Sequence, residues 1–160
     1  MTWRLPRTQY EEGKGAGNRA AFKQRVRSGT PPGVLAYMAA EPVGWCAVAP
    51  RAEYDYLKRS RVLRPVDDQA VWSISCVLVA KPCRGSGVSV KLLRAAVDMA
   101  GRAGAQIVEG YAVISRTGRL PDAFAWTGTL SAFHAAGFEE VARGSPSRPI
   151  MRAYPGRATR

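Results

Sequence analysis

The chain has 160 residues, 46% apolar and 22% charged, which suits one ordinary globular domain able to bury a core without staples. Lysines and arginines total 24 against 12 acids, and the net charge of +12 favours polyanions, whether nucleic acid or a highly charged cofactor. No run of about 18 apolar residues and no signal-like N-terminal segment is present, so a soluble, cytoplasmic protein without a membrane partner is expected. The 3 cysteines lack CxxC spacing and there is a single His, which argues against a metal site and leaves the thiols free.

Asn18 is expected to cap a helix running to about Ser28, with Ala21, Phe22, Arg25 and Val26 along one side. Val34–Met38 and Val43–Val48 read as an antiparallel hairpin joined by Ala39–Pro42. From Arg51 to Arg64 the pattern turns helical, with Tyr54 and Leu57 inward, and Pro65–Asp68 forms a turn. The basic residues are scattered, and their densest set is Lys58, Arg59, Arg61 and Arg64. No basic strand interleaved with aromatics of the kind that binds single strands accompanies them.

Val71–Val79 is the strongest strand, with Trp72, Ile74, Cys76 and Leu78 expected on one face. Its other face changes from Ser73 and Ser75 to Val77 and Val79, so one end is expected at a cleft and the other in the core. Val88 to about Arg102 is an amphipathic helix buried through Leu92, Leu93, Ala96, Val97, Met99 and Ala100. A strand over Ile107–Val113, a polar loop over 115–122 and a short helix near Ser131–Ala136, with Ala123 as its earliest start, follow. Phe138–Val141 and Ile150–Tyr154 close the pattern as two strands. Without repeats or a linker, residues 1–160 read as one domain.

The chemistry sits between the strong strand and the long helix. Arg84-Gly85-Ser86-Gly87-Val88-Ser89 places two glycines where the backbone must turn, at a helix N-terminus whose unpaired N–H groups attract phosphate. It matches neither the GxxxxGK[ST] phosphate loop nor GxGxxG. On the next strand Glu109 and Tyr111 share a face, and an inward Glu is costly unless hydrogen-bonded or used.

These features resemble the GNAT superfamily of N-acetyltransferases. The family loop runs Arg or Gln, two residues, Gly, one residue, then Gly or Ala, and Arg84–Ser89 matches it apart from Ser89 at the final small position. Ala132–Phe138, ending in Gly137-Phe138, is similar to the family's last helix, and Val43–Val48 to its hairpin arm. The resemblance covers roughly residues 20–155. It implies an α/β (α+β) fold whose mixed, largely antiparallel sheet has splayed fourth and fifth strands and flanking helices. It implies acetyl-CoA as cosubstrate, with no metal. Val77, Leu78 and Val79 would border the pantetheine arm, and Arg84, Gly85, Ser86, Gly87, Val88 and Ser89 would hold the pyrophosphate.

The implied activity is acetyl transfer to a primary amine of a small molecule or peptide by direct attack. The family's usual tyrosine acid falls on Phe133, so Tyr111 becomes the candidate acid and Glu109 the candidate base. Against these roles stand a packed aromatic and a Glu paired with one of the many arginines. Trp126 is a candidate wall of the acceptor site, and Thr127 or Thr129 a candidate cap. The alternatives are a non-catalytic or regulatory acyl-CoA-binding module and a basic protein associated with RNA or the ribosome. A nucleic acid partner and pairing as a homodimer stay open.

Overall fold

The structure is a computed structural model that describes residues 2–29, 31–114 and 126–157. Two helices, α1 (Arg7–Glu12) and α2 (Ala16–Arg27), precede the hairpin of β1 (Gly33–Met38) and β2 (Glu41–Pro50). A short helix α3 (Asp55–Arg59), β3 (Trp72–Val79), α4 (Val88–Arg102), β4 (Val108–Tyr111), α5 (Leu130–Ala135), β5 (Glu139–Ser145) and β6 (Arg148–Ala153) follow. The six strands lie in the order β1-β2-β3-β4-β6-β5, and only β3 and β4 run parallel.

One face of the sheet carries α4, which buries Val88, Leu92, Leu93, Ala96 and Ala100 against Cys46, Val48, Ile74, Val108 and Met151. The other face packs Trp3, Tyr54, Leu57, Leu63, Tyr111 and Ile150 into a second, aromatic-rich cluster. The apolar stripe of α4 thus sets which face of the sheet is covered by helix, as its 3.6-residue period requires.

Four expectations are corrected. α2 begins at Ala16 with Gly15 as its N-cap, and the Asn18 side chain instead donates to the Tyr10 carbonyl at 2.8 Å. A first helix at Arg7–Glu12 precedes it, in a stretch to which the sequence reading gives no element. The expected helix over 51–64 is only a 3-10 turn at Arg51–Glu53 and the five residues of α3. Arg51 explains the shortening, because its side chain donates to the Leu63 carbonyl at 2.5 Å and the Leu57 carbonyl at 3.4 Å and fixes the chain beyond α3 off the helical path.

The fourth concerns β3. Ala47 pairs with Cys76 and Val48 with Ile74, so Ser75 is an extra residue, a β-bulge. Alternation breaks there. Ile74 and Val77 both enter the α4-side core, while Cys76 and Leu78 do not share a face with Ile74. A period-2 reading carries straight through a bulge because nothing in the local residue types announces it. The short helix α5 starts at Leu130, and its cap is Thr129, whose hydroxyl accepts from the Ala132 N–H at 3.3 Å. The polar loop expected over 115–122 and the early helix start at Ala123 lie outside the described residues.

Candidate active site

β3 and β4 stay paired for only three residues, Trp72–Ile74 against Val108–Gly110. Beyond that β3 runs on to Val79 while β4 ends at Tyr111, and the two separate. Phe133 of α5 fills the fork. It is fully buried, meets Phe138 edge-to-face at 5.0 Å, and lies so close to Gly110 that a Cβ there would overlap its ring. A side chain on Gly128 would meet the same ring at 2.8 Å.

The open edge of β3 leads to the glycine loop. Val77, Leu78, Val79, Cys83, Arg84, Gly85, Val88 and Ser89, with Trp126, Gly128, Thr129 and Ala132 opposite, line a cavity of about 170 Å³. The loop is shaped locally. A 3-10 turn at Lys81–Cys83 is held by the Ser86 hydroxyl donating to the Cys83 carbonyl at 2.7 Å. Gly85 and Gly87 both have φ of +79°, a left-handed conformation that a Cβ disfavours. Gly87 is the N-cap of α4, so the N–H groups of Val88, Ser89 and Val90 lie outside the helix's own ladder and carry its dipole. With Lys81, Arg84 and Lys91 in or next to the loop, this end of the groove fits a pyrophosphate. The Val79 carbonyl accepts from Arg84 Nε at 3.1 Å, which anchors the loop to the end of the strand.

The same strand lines a second, larger cavity of about 760 Å³ through Ser75 and Cys76. Its walls are Trp3, Arg4, Phe22, Val26, Leu35, Trp45, Tyr54 and Trp126, among others. Trp126 lines both cavities, which are thus neighbours along β3. Burial raises the Tyr54 phenol to about 12, which keeps it a neutral donor, and Ser75 is its hydrogen-bond neighbour. Arg4 Nη2 also donates to the Tyr54 hydroxyl at 3.3 Å. Glu53 takes ion pairs from Arg4 and, at 2.5 Å, from Arg25.

Glu109 and Tyr111 come together, but away from these cavities, and neither lines one. The Tyr111 hydroxyl donates to Glu109 Oε2 at 3.1 Å, receives Arg51 Nη1 at 2.6 Å and contacts Ser73 Oγ at 2.7 Å. The other carboxylate oxygen of Glu109 accepts from Arg152 at 2.9 and 3.1 Å, and Arg152 in turn holds Asp67 at 2.6 and 2.9 Å. Glu109 is 1% exposed and Arg152 4%. The Tyr111 phenol is pushed far up by burial and by the Glu109 charge, so it is a reluctant acid. Asp67, read from sequence as a turn residue, still caps Gln69 and also closes this cluster. Sequence reasoning missed Arg51 and Arg152, whose partners lie 58 and 43 residues from them along the chain. It placed Ser75 on the cleft-facing stretch of the strand but missed the bulge there, for which no local signal exists.

The model of the acetyltransferase (GNAT) family matches residues 1–115, well over half of the chain. This chain is a GNAT acetyltransferase. No curated protein sequence matches it. Among solved structures, the fold is similar to a ribosomal-protein-alanine N-acetyltransferase from Brucella melitensis (TM-score 0.52, 19% identity, 84% of this chain and 74% of that one). It is similar to a GNAT-family acetyltransferase from Streptococcus pneumoniae (TM-score 0.56, 11% identity, 89% and 78%). It is also similar to a Salmonella typhimurium protein solved with its cofactor acetyl-CoA (TM-score 0.55, 17% identity, 88% and 74%).

As a GNAT acetyltransferase the chain takes the acetyl group that it transfers from acetyl-CoA. Among the described residues no helix is long and apolar enough to cross a membrane.

Proposed function

We propose that this GNAT N-acetyltransferase binds coenzyme A along β3 and the N-terminus of α4, and acetylates an amine held in the larger cavity at the Ser75 bulge. One observation carries this reading: Ser75 and Cys76 line the larger cavity, Val77–Val79 line the loop-side groove, and Trp126 lines both. Acetyl-CoA supplies an activated thioester acetyl when bound. The protein's own contribution is to bring an amine against it in a water-poor space, which by itself supplies several kcal/mol of a barrier. The reaction forms a C–N bond, breaks a C–S bond, and moves one proton from the amine to solvent and one to the departing thiolate.

Phe133 occupies the family's usual acid position with a ring that has no ionisable proton. Tyr54 and Ser75 bring hydroxyls to the larger cavity, and in this reading they orient the amine or a water by hydrogen bonding. Glu109 and Tyr111 are assigned a positioning role instead of base and acid, because both carboxylate oxygens of Glu109 and the Tyr111 hydroxyl are fully engaged. They fix the closed end of the fork, and through Arg51 the segment that follows Tyr54.

Release of free CoA thiol from acetyl-CoA in the presence of amines tests the activity. Ser75→Ala and Tyr54→Phe should lower kcat while leaving CoA affinity within about twofold, each having lost one hydrogen bond of roughly 1 kcal/mol. Coenzyme A binding without turnover on any amine would favour the non-catalytic module that Phe133 suggests.

A further inference from the structure

Three of the chain's 4 tryptophans converge on the larger cavity. Trp3, Trp45 and Trp126 join Phe22 and Tyr54 around a space of about 760 Å³, within the range that encloses small ligands. The rings form two groups. Phe22 of α2 meets Trp45 of β2 edge-to-face at 6.0 Å, while Trp3 meets Trp126 at 5.4 Å and Tyr54 at 6.4 Å. Walls of this kind reward a flat apolar body through stacking and edge contacts.

The charges nearby disfavour a polycation. Arg4 is the one charged side chain lining the cavity among the described residues, and its guanidinium lies 4.6 Å from the centre of the Tyr54 ring. The adjacent carboxylate, Glu53, is already shared between Arg4 and Arg25. These three side chains carry a net positive charge. A ligand with a second ammonium group would therefore lose hydration without gaining a partner.

We infer that the acceptor is a primary monoamine on an aromatic body, about the size of tryptamine, and that polyamines are rejected. This rests on the transferase reading above and narrows it. The aromatic body lies among the tryptophans, and the amine reaches the bulge at Ser75, on the strand that also lines the coenzyme groove.

Thiol release from acetyl-CoA with tryptamine, phenethylamine and spermidine in parallel tests the inference. kcat/KM for tryptamine should exceed that for spermidine by about 100-fold, the scale of discrimination a site can build from lost and unpaired contacts. Trp45→Leu and Phe22→Ala should each raise the KM for tryptamine by about tenfold, the loss of one aromatic contact, with the KM for acetyl-CoA unchanged. Calorimetric titration of tryptamine into CoA-saturated protein should show the same loss of affinity in both variants without relying on turnover. Spermidine turning over as well as tryptamine would overturn the inference and leave the transferase reading standing. Wild-type tryptamine affinity in both variants would overturn the placement. Failure of CoA itself to bind would overturn the transferase reading, and this inference with it.

Discussion

The ring of Phe133 occupies the space that a side chain on Gly110 would need. That contact packs α5 onto the α4-side core at the last paired residue of β4, where Gly110 faces Ile74.

Gly110→Ala should therefore destabilise the protein by about 1–3 kcal/mol, since the ring is held between Gly110, Gly128 and Phe138 and has little room to retreat. Thermal melting reads this as a fall of roughly 2–4 °C per kcal/mol for a chain of this size. Adding Phe133→Leu to Gly110→Ala should recover part of the loss. A double variant whose loss equals the sum of the two single losses would show that the ring and the glycine are not coupled.

Glu109→Gln should cost about 3–5 kcal/mol in urea unfolding, because it leaves Arg51 and Arg152 facing a neutral group where they are largely buried. A catalytic base would behave differently. Its amide would abolish turnover at near-unchanged stability, so measuring both on the same variant separates the two roles.

Asp67 gives this cluster a pH dependence. Its hydrogen bonds from Arg152 hold its carboxyl far below the usual carboxylate range. A depressed folded pKa means that the contribution is present above the unfolded value of about 3.9 and is lost as pH falls through the folded one. The stability gap between wild type and Asp67→Asn should be constant from pH 8 to about 5. It should shrink progressively below about pH 4. A gap that instead opens on acidification would reverse the sign and remove Asp67 from the cluster's energetics.

Two of the 6 tyrosines should resist alkaline titration. Burial raises Tyr54 to about 12 and Tyr111 further. Both phenols are held neutral, so their contribution is present below the unfolded value of about 10 and is lost as pH climbs through the folded values. Phenolate absorbance should therefore keep a late fraction that appears only with alkaline unfolding, and Tyr54→Phe should reduce that fraction. Absence of any late fraction would contradict the burial of both.

What could be read from the sequence followed the range of the forces involved. The long helix came out at Val88–Arg102, because its stripe of Leu92, Leu93, Ala96 and Ala100 and its flanking glycines are local signals. The loop of Arg84–Ser89 was legible for the same reason, since Gly85 and Gly87 sit where φ is positive. The bulge at Ser75 was not, and missing it reversed the facing of Cys76 and Leu78. The aromatic cavity was hidden because it draws Trp3, Phe22, Trp45, Tyr54 and Trp126 from five separate stretches. Glu109 was singled out correctly as an expensive buried acid, but the arginines that compensate it come from distant elements and set its role.

The central claim is that the N-terminus of α4 holds the coenzyme's pyrophosphate, and Ser89→Glu tests it most directly. A glutamate in the first turn of a helix favours the helix dipole by about 0.3–1 kcal/mol, so the fold should keep its melting temperature or gain slightly. The same charge would repel a pyrophosphate bound there. Calorimetric titration with coenzyme A should give saturable one-to-one binding in the wild type and an affinity lower by at least about tenfold in the folded variant, roughly 1.4 kcal/mol. Equal affinity in the two proteins, or no binding by the wild type, would contradict the account.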